Sequence, residues 1–221
     1  MKTLNMPGRS GPPASLIILA VTVVIYFFQT GMWTDMIRVF ALWPLGTPDQ
    51  MLYRDVGTLD TGFAPWQLIS YGFLHGGLAH LFFNMFALYM FGLPIERLWG
   101  TRRFLIFYFF CMVGAAVVQL VVAGISGEVY PTIGASGAVF GLLLAYGMMY
   151  PNATIMLLIP PIPMKAKYFV VGYGALTLFF GMTGTAPGIA HFAHLGGMLF
   201  GFILILWWSG RAGRRRDSYR E

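Results

Sequence analysis

Charge is what this 221-residue chain has least of: Asp, Glu, Lys and Arg make up 10% of it, against about 25% in an ordinary soluble domain. Eight acids and fourteen bases are too few to solvate the surface of a soluble fold this size, and that class is excluded. The lone Cys111 excludes an internal disulfide and any zinc site built on several thiolates. Between Glu128 and Asp217 there is no acid at all, so a third, orienting carboxylate for a catalytic group there would have to come from an outer loop. No internal repeat is visible, which weakens the case for an inverted-repeat transporter. Apolar residues fill the gap left by charge, at 57% of the chain. The net charge of +6 is compatible with a nucleic-acid partner, but the placement of the bases argues for a membrane.

A helix crossing the hydrocarbon layer needs roughly 17–25 mostly apolar residues. Such runs predict spans at 14–31, 78–93, 104–122, 136–149, 166–182 and 189–208. The first follows a Pro/Gly/Ser-rich head whose only charges are Lys2 and Arg9. No small-x-small cleavage site follows Tyr26, Phe27 and Phe28, so a retained helix is expected rather than a signal peptide. The second and fourth runs are short, as expected if their outer ends meet a water-accessible hollow instead of lipid.

Six spans put both termini on one face. With the N-terminus cytoplasmic, the inner segments hold twelve bases (Lys2, Arg9, Arg97, Arg102, Arg103, Lys165, Lys167, Arg211, Arg214, Arg215, Arg216 and Arg220), and only Arg38 and Arg54 stay outside. That is the positive-inside pattern. Trp207 and Trp208, before the basic tail, fit an aromatic belt at the inner interface. The expected organisation is a cytoplasmic segment at 1–13, a membrane domain at 14–208 with a large, partly helical outer loop at about 34–77, and a basic cytoplasmic tail at 209–221. The tail reads as an anchor on anionic lipid, not as a nucleic-acid site.

Polar groups at membrane depth are costly and point to function. His80 and Asn84, four residues apart, share one helix face; the structural alternative is a pair of interhelical hydrogen bonds. Ser136 lies in Gly134-Ala135-Ser136-Gly137. Small residues there permit close helix packing, yet the serine also stands in the first turn of its helix. Free N–H groups and the positive end of the dipole can receive a developing oxyanion at that point. His194 is followed by Gly197 and Gly201, a small-residue face whose natural partner is that of Gly137 and Gly141. His191 lies one turn before His194, and it and His75 receive no role from spacing; a packed core histidine is the plain alternative for each.

Depth ties these groups together. Seventeen residues separate His80 from Arg97 and His194 from Arg211, about 25 Å of helix. Ser136 lies 15 residues before Pro151, about 22 Å. All three therefore sit near one plane toward the outer face, where unrelated packing polars would have no reason to share a level. Ser136 and His194 suggest a dyad, histidine serving as general base and then general acid. With no anion beside the imidazole, packing must fix it; Phe140, one turn below Ser136, is the candidate for stacking, with an ordinary core aromatic as the alternative.

In this order, Phe73-Leu74-His75, His80-x-x-x-Asn84, Gly92-x-x-x-Glu96-x-x-x-Gly100, Gly134-x-Ser136-Gly137 and Ala193-His194-x-x-Gly197-x-x-x-Gly201 resemble the rhomboid family of intramembrane serine proteases, in its bacterial six-helix form. The likeness runs from Trp66 to Gly201. It implies an all-α, polytopic six-helix bundle with the serine at the top of a short fourth helix, below a water-filled cavity open to the outside. It implies Ser136 as nucleophile, His194 as its base, and the Ser136 N–H, His80 and Asn84 as the oxyanion site. Gly134 would shape the loop before the serine, Gly197 and Gly201 would let the sixth helix pack on the fourth, and Glu96 would be structural. The fifth helix and the loop beginning near Gly181 would part to admit substrate. One departure stands out: the family often carries Trp-Arg in its first outer loop, where this chain has Trp66-Gln67.

The expected function is an intramembrane serine endopeptidase acting in or beside transmembrane helices of membrane-protein substrates, without metal or other cofactor. It would reside in a bacterial inner membrane with its site toward the outer face. Two other readings remain open at this stage: a catalytically silent rhomboid-like protein that binds membrane clients, and a small His-lined channel or transporter using His75, His80, His191 and His194.

Overall fold

The computed structural model describes residues 11–52, 58–156, 161–184 and 190–217. Helix α1 (Ala14–Gly31) starts where the carboxylate of Glu96 accepts the N–H groups of Ala14 at 2.9 Å and Ser15 at 2.8 Å. Those donors have no partner inside their own helix, so a carboxylate 81–82 residues away supplies the cap. The Ser15 and Thr101 hydroxyls donate to the same carboxylate.

The outer segment then folds as α2 (Trp33–Phe40), an antiparallel hairpin of β1 (Gln50–Leu52) and β2 (Thr58–Asp60), and the short α3 (Gln67–Ser70), which runs into a single 3-10 turn at Tyr71–Phe73. Trp43 is fully buried, and its indole N–H donates to the carbonyls of Ile37 and Arg38 at 3.2 Å each. Gln67, in the place of the family's arginine, is 2% exposed. Its Oε1 accepts from the Trp43 N–H at 3.2 Å, and its Nε2 donates to the carbonyls of Gly62 at 3.1 Å and Val39 at 3.4 Å. A neutral amide thus ties the loop together through three backbone groups.

Helix α4 (Leu78–Ala87) passes through a π turn at Leu88–Gly92 into α5 (Leu93–Trp99), giving one span of 22 residues. The sequence reading ended this span at 93. It runs on because the wider π turn opens the helix just before Pro94, which can neither donate to nor sit close against the carbonyl one turn back. After Gly100, at φ +79°, α6 (Thr101–Ser126) begins.

Helix α7 (Ser136–Met149) has 14 residues, about 21 Å, short of the roughly 30 Å hydrocarbon layer. It can be short because it lies in the middle of the bundle, buried on nearly every side. An antiparallel hairpin, β3 (Thr154–Met156) with β4 (Pro163–Lys165), leads to α8 (Ala166–Thr183) and α9 (His191–Asp217). The last helix continues well past the expected end at 208.

Among the described residues, four helices are long and apolar enough to cross a membrane: α1, the continuous α4–α5, α6, and residues 191–210 of α9. Large apolar side chains such as Phe27, Phe28, Ile125, Val171 and Met182 are exposed on the rim, as lipid-facing surface requires. The chain is an integral, multi-pass membrane protein with α7 at its centre.

In lipid, helices associate by close packing, so small residues fill the contacts. Helix α9 packs most extensively on α6 and α7. A side chain on Gly197 would overlap the carbonyl oxygen of Gly137, and one on Gly141 would lie 3.1 Å from the carbonyl of Gly197.

Candidate active site

The segment before α7 is held by backbone pairing. Leu42 and Thr132 exchange N–H···O bonds of 3.0 and 2.9 Å, and the Gly134 N–H donates to the Tyr71 carbonyl at 2.9 Å. The Tyr71 hydroxyl in turn donates to the Met112 carbonyl on α6 at 2.8 Å. Gly134 adopts φ +125°, a conformation open to glycine. A Cβ there would also stand 2.8 and 2.9 Å from Cε1 and Nε2 of His80. The loop therefore needs glycine twice over, for its backbone angle and for the imidazole against it.

Ser136 opens α7, and the first N–H groups of that helix have no intrahelical partner. Its Oγ lies 2.7 Å from Nε2 of His194 on α9. Phe140 stacks on the His194 ring, centroids 4.3 Å apart and planes 10° from parallel. Tyr173 stacks on Phe140 at 5.0 Å and 23°, and Phe169 on Tyr173 at 5.5 Å and 13°. Four rings from α9, α7 and α8 thus form one column.

His80 receives the Gly76 N–H on Nδ1 at 3.2 Å. When the ring is neutral, that acceptor role leaves the proton on Nε2, the nitrogen beside Gly134. Asn84 is 6% exposed; one of its amide protons goes to the His80 carbonyl at 2.9 Å, and the side chain lines the cavity over Ser136. This cavity, about 770 Å³, is bounded by His80 and Asn84 on α4 and by Phe140, Tyr173 and His194 on the opposite wall, and reaches down to Ile155 and Met156 of β3.

Other candidates fall at graded distances from this cluster. His75 packs edge-on to His80 at 5.0 Å, and His191 edge-on to His194 at 6.3 Å. Gly137 and Gly197 hold α7 against α9 directly below the pair; deeper in the bundle, a side chain on Gly201 would meet Phe107 at 2.9 Å and Cys111 at 3.1 Å on α6 and the Cα of Gly141 on α7 at 3.5 Å. Of the loop beginning near Gly181 that was expected to part for substrate, residues 185–189 lie outside the described residues. Among the described residues, no three His, Cys, Asp or Glu side chains gather as a metal-binding group. One residue escaped the sequence reading: Gln29, buried in α1, whose signal was an amide inside an apolar span.

Compared with known proteins, residues 63–211 match the family description "Rhomboid domain". "RHOMBOID-like protein 4" of Arabidopsis thaliana is 33% identical over 168 residues, 73% of this chain and 40% of that protein. "Rhomboid protease GluP" of Bacillus subtilis is 31% identical over 145 residues, 62% of this chain and 25% of its own length. "Putative rhomboid protease YdcA" of the same organism is 30% identical over 142 residues, 62% of each. The chain thus spans less than two thirds of each of these relatives.

Proposed function

Because this chain belongs to the rhomboid family, we propose that it is an intramembrane serine endopeptidase, with Ser136 as nucleophile and His194 as its base. The observation that carries the reading is the 2.7 Å approach of the Ser136 hydroxyl to the His194 imidazole at the wall of a 770 Å³ cavity. In this mechanism Ser136 Oγ attacks the scissile carbonyl carbon as its proton passes to His194 Nε2. The carbonyl π electrons move to oxygen, which is held by the Ser136 N–H, the Nε2–H of His80 and the free amide proton of Asn84. Collapse of the tetrahedral adduct breaks the C–N bond, and His194 returns its proton to the leaving amine. Water, deprotonated by the same imidazole, then hydrolyses the acyl-enzyme and restores Ser136.

No carboxylate is called on. The ring column fixes the imidazole plane instead, with Phe140 against one of its faces. The substrate is a transmembrane segment of another membrane protein. Such a helix hides its carbonyls in its own hydrogen bonds, so it must unwind locally before cleavage, and helix-breaking residues near its outer end favour cutting. We place both termini in the cytoplasm and the site toward the outer face, on the strength of the distribution of its bases; the bacterial cell membrane is proposed on the likeness to the Bacillus subtilis relatives.

The test is cleavage of a transmembrane reporter by purified protein in detergent and in liposomes. Wild type is expected to cut, with EDTA without effect, and Ser136→Ala and His194→Ala each to abolish cutting while the protein stays folded. Full activity in Ser136→Ala refutes the nucleophile assignment. A folded wild type that binds transmembrane reporters without cutting them favours the silent client-binding reading, and loss of activity with EDTA favours a metal-dependent one.

A further inference from the structure

Gln29 is a primary amide near the end of an apolar span, and it is 0% exposed. An amide left unsatisfied at that depth is expensive, and this one is used in full register against a single residue. Its Nε2 donates to the His75 carbonyl at 2.8 Å, and its Oε1 accepts the His75 N–H at 3.0 Å. The two bonds imitate a strand pairing between α1 and the turn at 74–77, residues 46 apart in sequence. Both groups it holds on His75 are backbone atoms, so the Gln29 amide fixes the path of the turn whatever side chain stands at 75.

The turn has one direct link to the site. The next residue, Gly76, donates its N–H to His80 Nδ1 at 3.2 Å, and the His75 ring packs edge-on against His80 at 5.0 Å. A neutral imidazole carries one ring proton, and the nitrogen that accepts a hydrogen bond does not hold it. The Gly76 N–H therefore selects the tautomer with its proton on Nε2, the atom beside Gly134 at the mouth of α7. If the turn shifts, the selection is lost, and an Nδ1-protonated ring presents a lone pair to the reacting oxygen instead of a donor.

We propose that Gln29 is a positioning residue: by clamping the backbone of His75 it holds the Gly76 N–H on His80 and so keeps His80 in the tautomer that donates to the oxyanion. The proposal rests on the oxyanion role given to His80 above, and adds to it a requirement located in the first span, outside the cavity.

The experiment pairs kinetics with a spectroscopic readout. Gln29→Leu is expected to lower kcat about tenfold or more, since removing a whole oxyanion donor costs roughly 10²–10³, with KM within about twofold because the side chain does not reach the cavity. In a His80→Ala background, whose residual turnover uses the Ser136 N–H and Asn84, the same change is expected to cost less than about twofold. An equal loss in both backgrounds, or none in either, overturns the proposal. Gln29→Asn, which keeps the amide but withdraws it by about 1.5 Å, is expected to behave as Gln29→Leu.

Nitrogen NMR of labelled histidine, at a pH where the rings are neutral, reads the tautomer without any substrate. Wild-type His80 is expected to be protonated on Nε2, and the two variants to show a mixture. A wild-type ring protonated on Nδ1 overturns the proposal even where neither variant folds. Absence of proteolysis in wild type together with the Nε2 tautomer refutes the protease reading alone.

Discussion

Between residues 137 and 197 the backbones of α7 and α9 touch with nothing between them. A methyl added at Gly197 would overlap the carbonyl oxygen of Gly137 and stand 3.2 Å from its Cα. Both obstacles are backbone, so no side chain can swing aside. Restoring an ordinary contact of about 3.5 Å requires the helices to part by roughly 1–2 Å. Ser136 is the residue before Gly137 and His194 lies one turn before Gly197, so the separation falls on the pair that is now 2.7 Å apart. A misplacement of about 1 Å costs on the order of 100-fold in rate, while overpacking typically destabilises by about 1–3 kcal/mol. Gly197→Ala is therefore expected to lose at least about 100-fold in kcat while remaining helical with a lowered unfolding temperature. Reporter cleavage in liposomes and thermal unfolding of the same preparation measure the two effects. Gly124→Ala is the control: its position on α6 has no atom within 4 Å of the added carbon, and alanine improves helix propensity there by about 1 kcal/mol. Cleavage by Gly197→Ala within threefold of wild type would refute the claim that this contact sets the distance between serine and histidine.

Asn84→Ala is expected to slow turnover by about 10–1000-fold, less than the serine substitution, because the Ser136 N–H and His80 still donate; an unchanged rate would reduce Asn84 to its 2.9 Å bond with the His80 carbonyl. Glu96→Leu strips the cap from α1 and leaves buried donors of Ala14 and Ser15 without their acceptor, at about 1–3 kcal/mol for each unsatisfied group. Its unfolding midpoint is expected to fall markedly while turnover per folded molecule holds, since the carboxylate sits at the far end of the span from the cavity. An unaltered midpoint would show that the cap contributes nothing to stability.

Much of the architecture was legible because membrane spans announce themselves by length and apolarity, and because His80, Ser136 and His194 stand at matching distances from bases or a proline. Where chain-wide bookkeeping was enough, the reading and the coordinates agree: α7 begins at Ser136 and ends at Met149 in both. It was not enough after residue 93, where the apolar run ends but the helix continues through a π turn to Trp99. Nor was it enough in the outer segment, whose β1–β2 hairpin is three residues to a strand and carries no periodicity long enough to read. Gln67 was visible only as a departure from Trp-Arg; that its amide would bind three separate backbone groups depends on the folded path of residues 39, 43 and 62. The tautomer of His80 was beyond reach for the same reason, since it is set by one N–H whose direction belongs to a turn.

The column of four rings has a consequence for how far α8 can move without disturbing the His194 imidazole. Its outer two members, Phe169 and Tyr173, belong to α8, which exposes large side chains such as Tyr168, Val171 and Phe179. The ring in immediate contact with the imidazole comes from α7, enclosed by its neighbours and 6% exposed at Phe140. Sideways travel of α8 would peel away the far rings first and leave the Phe140 backing in place. One phenyl group thus stands between the His194 imidazole and any displacement of α8.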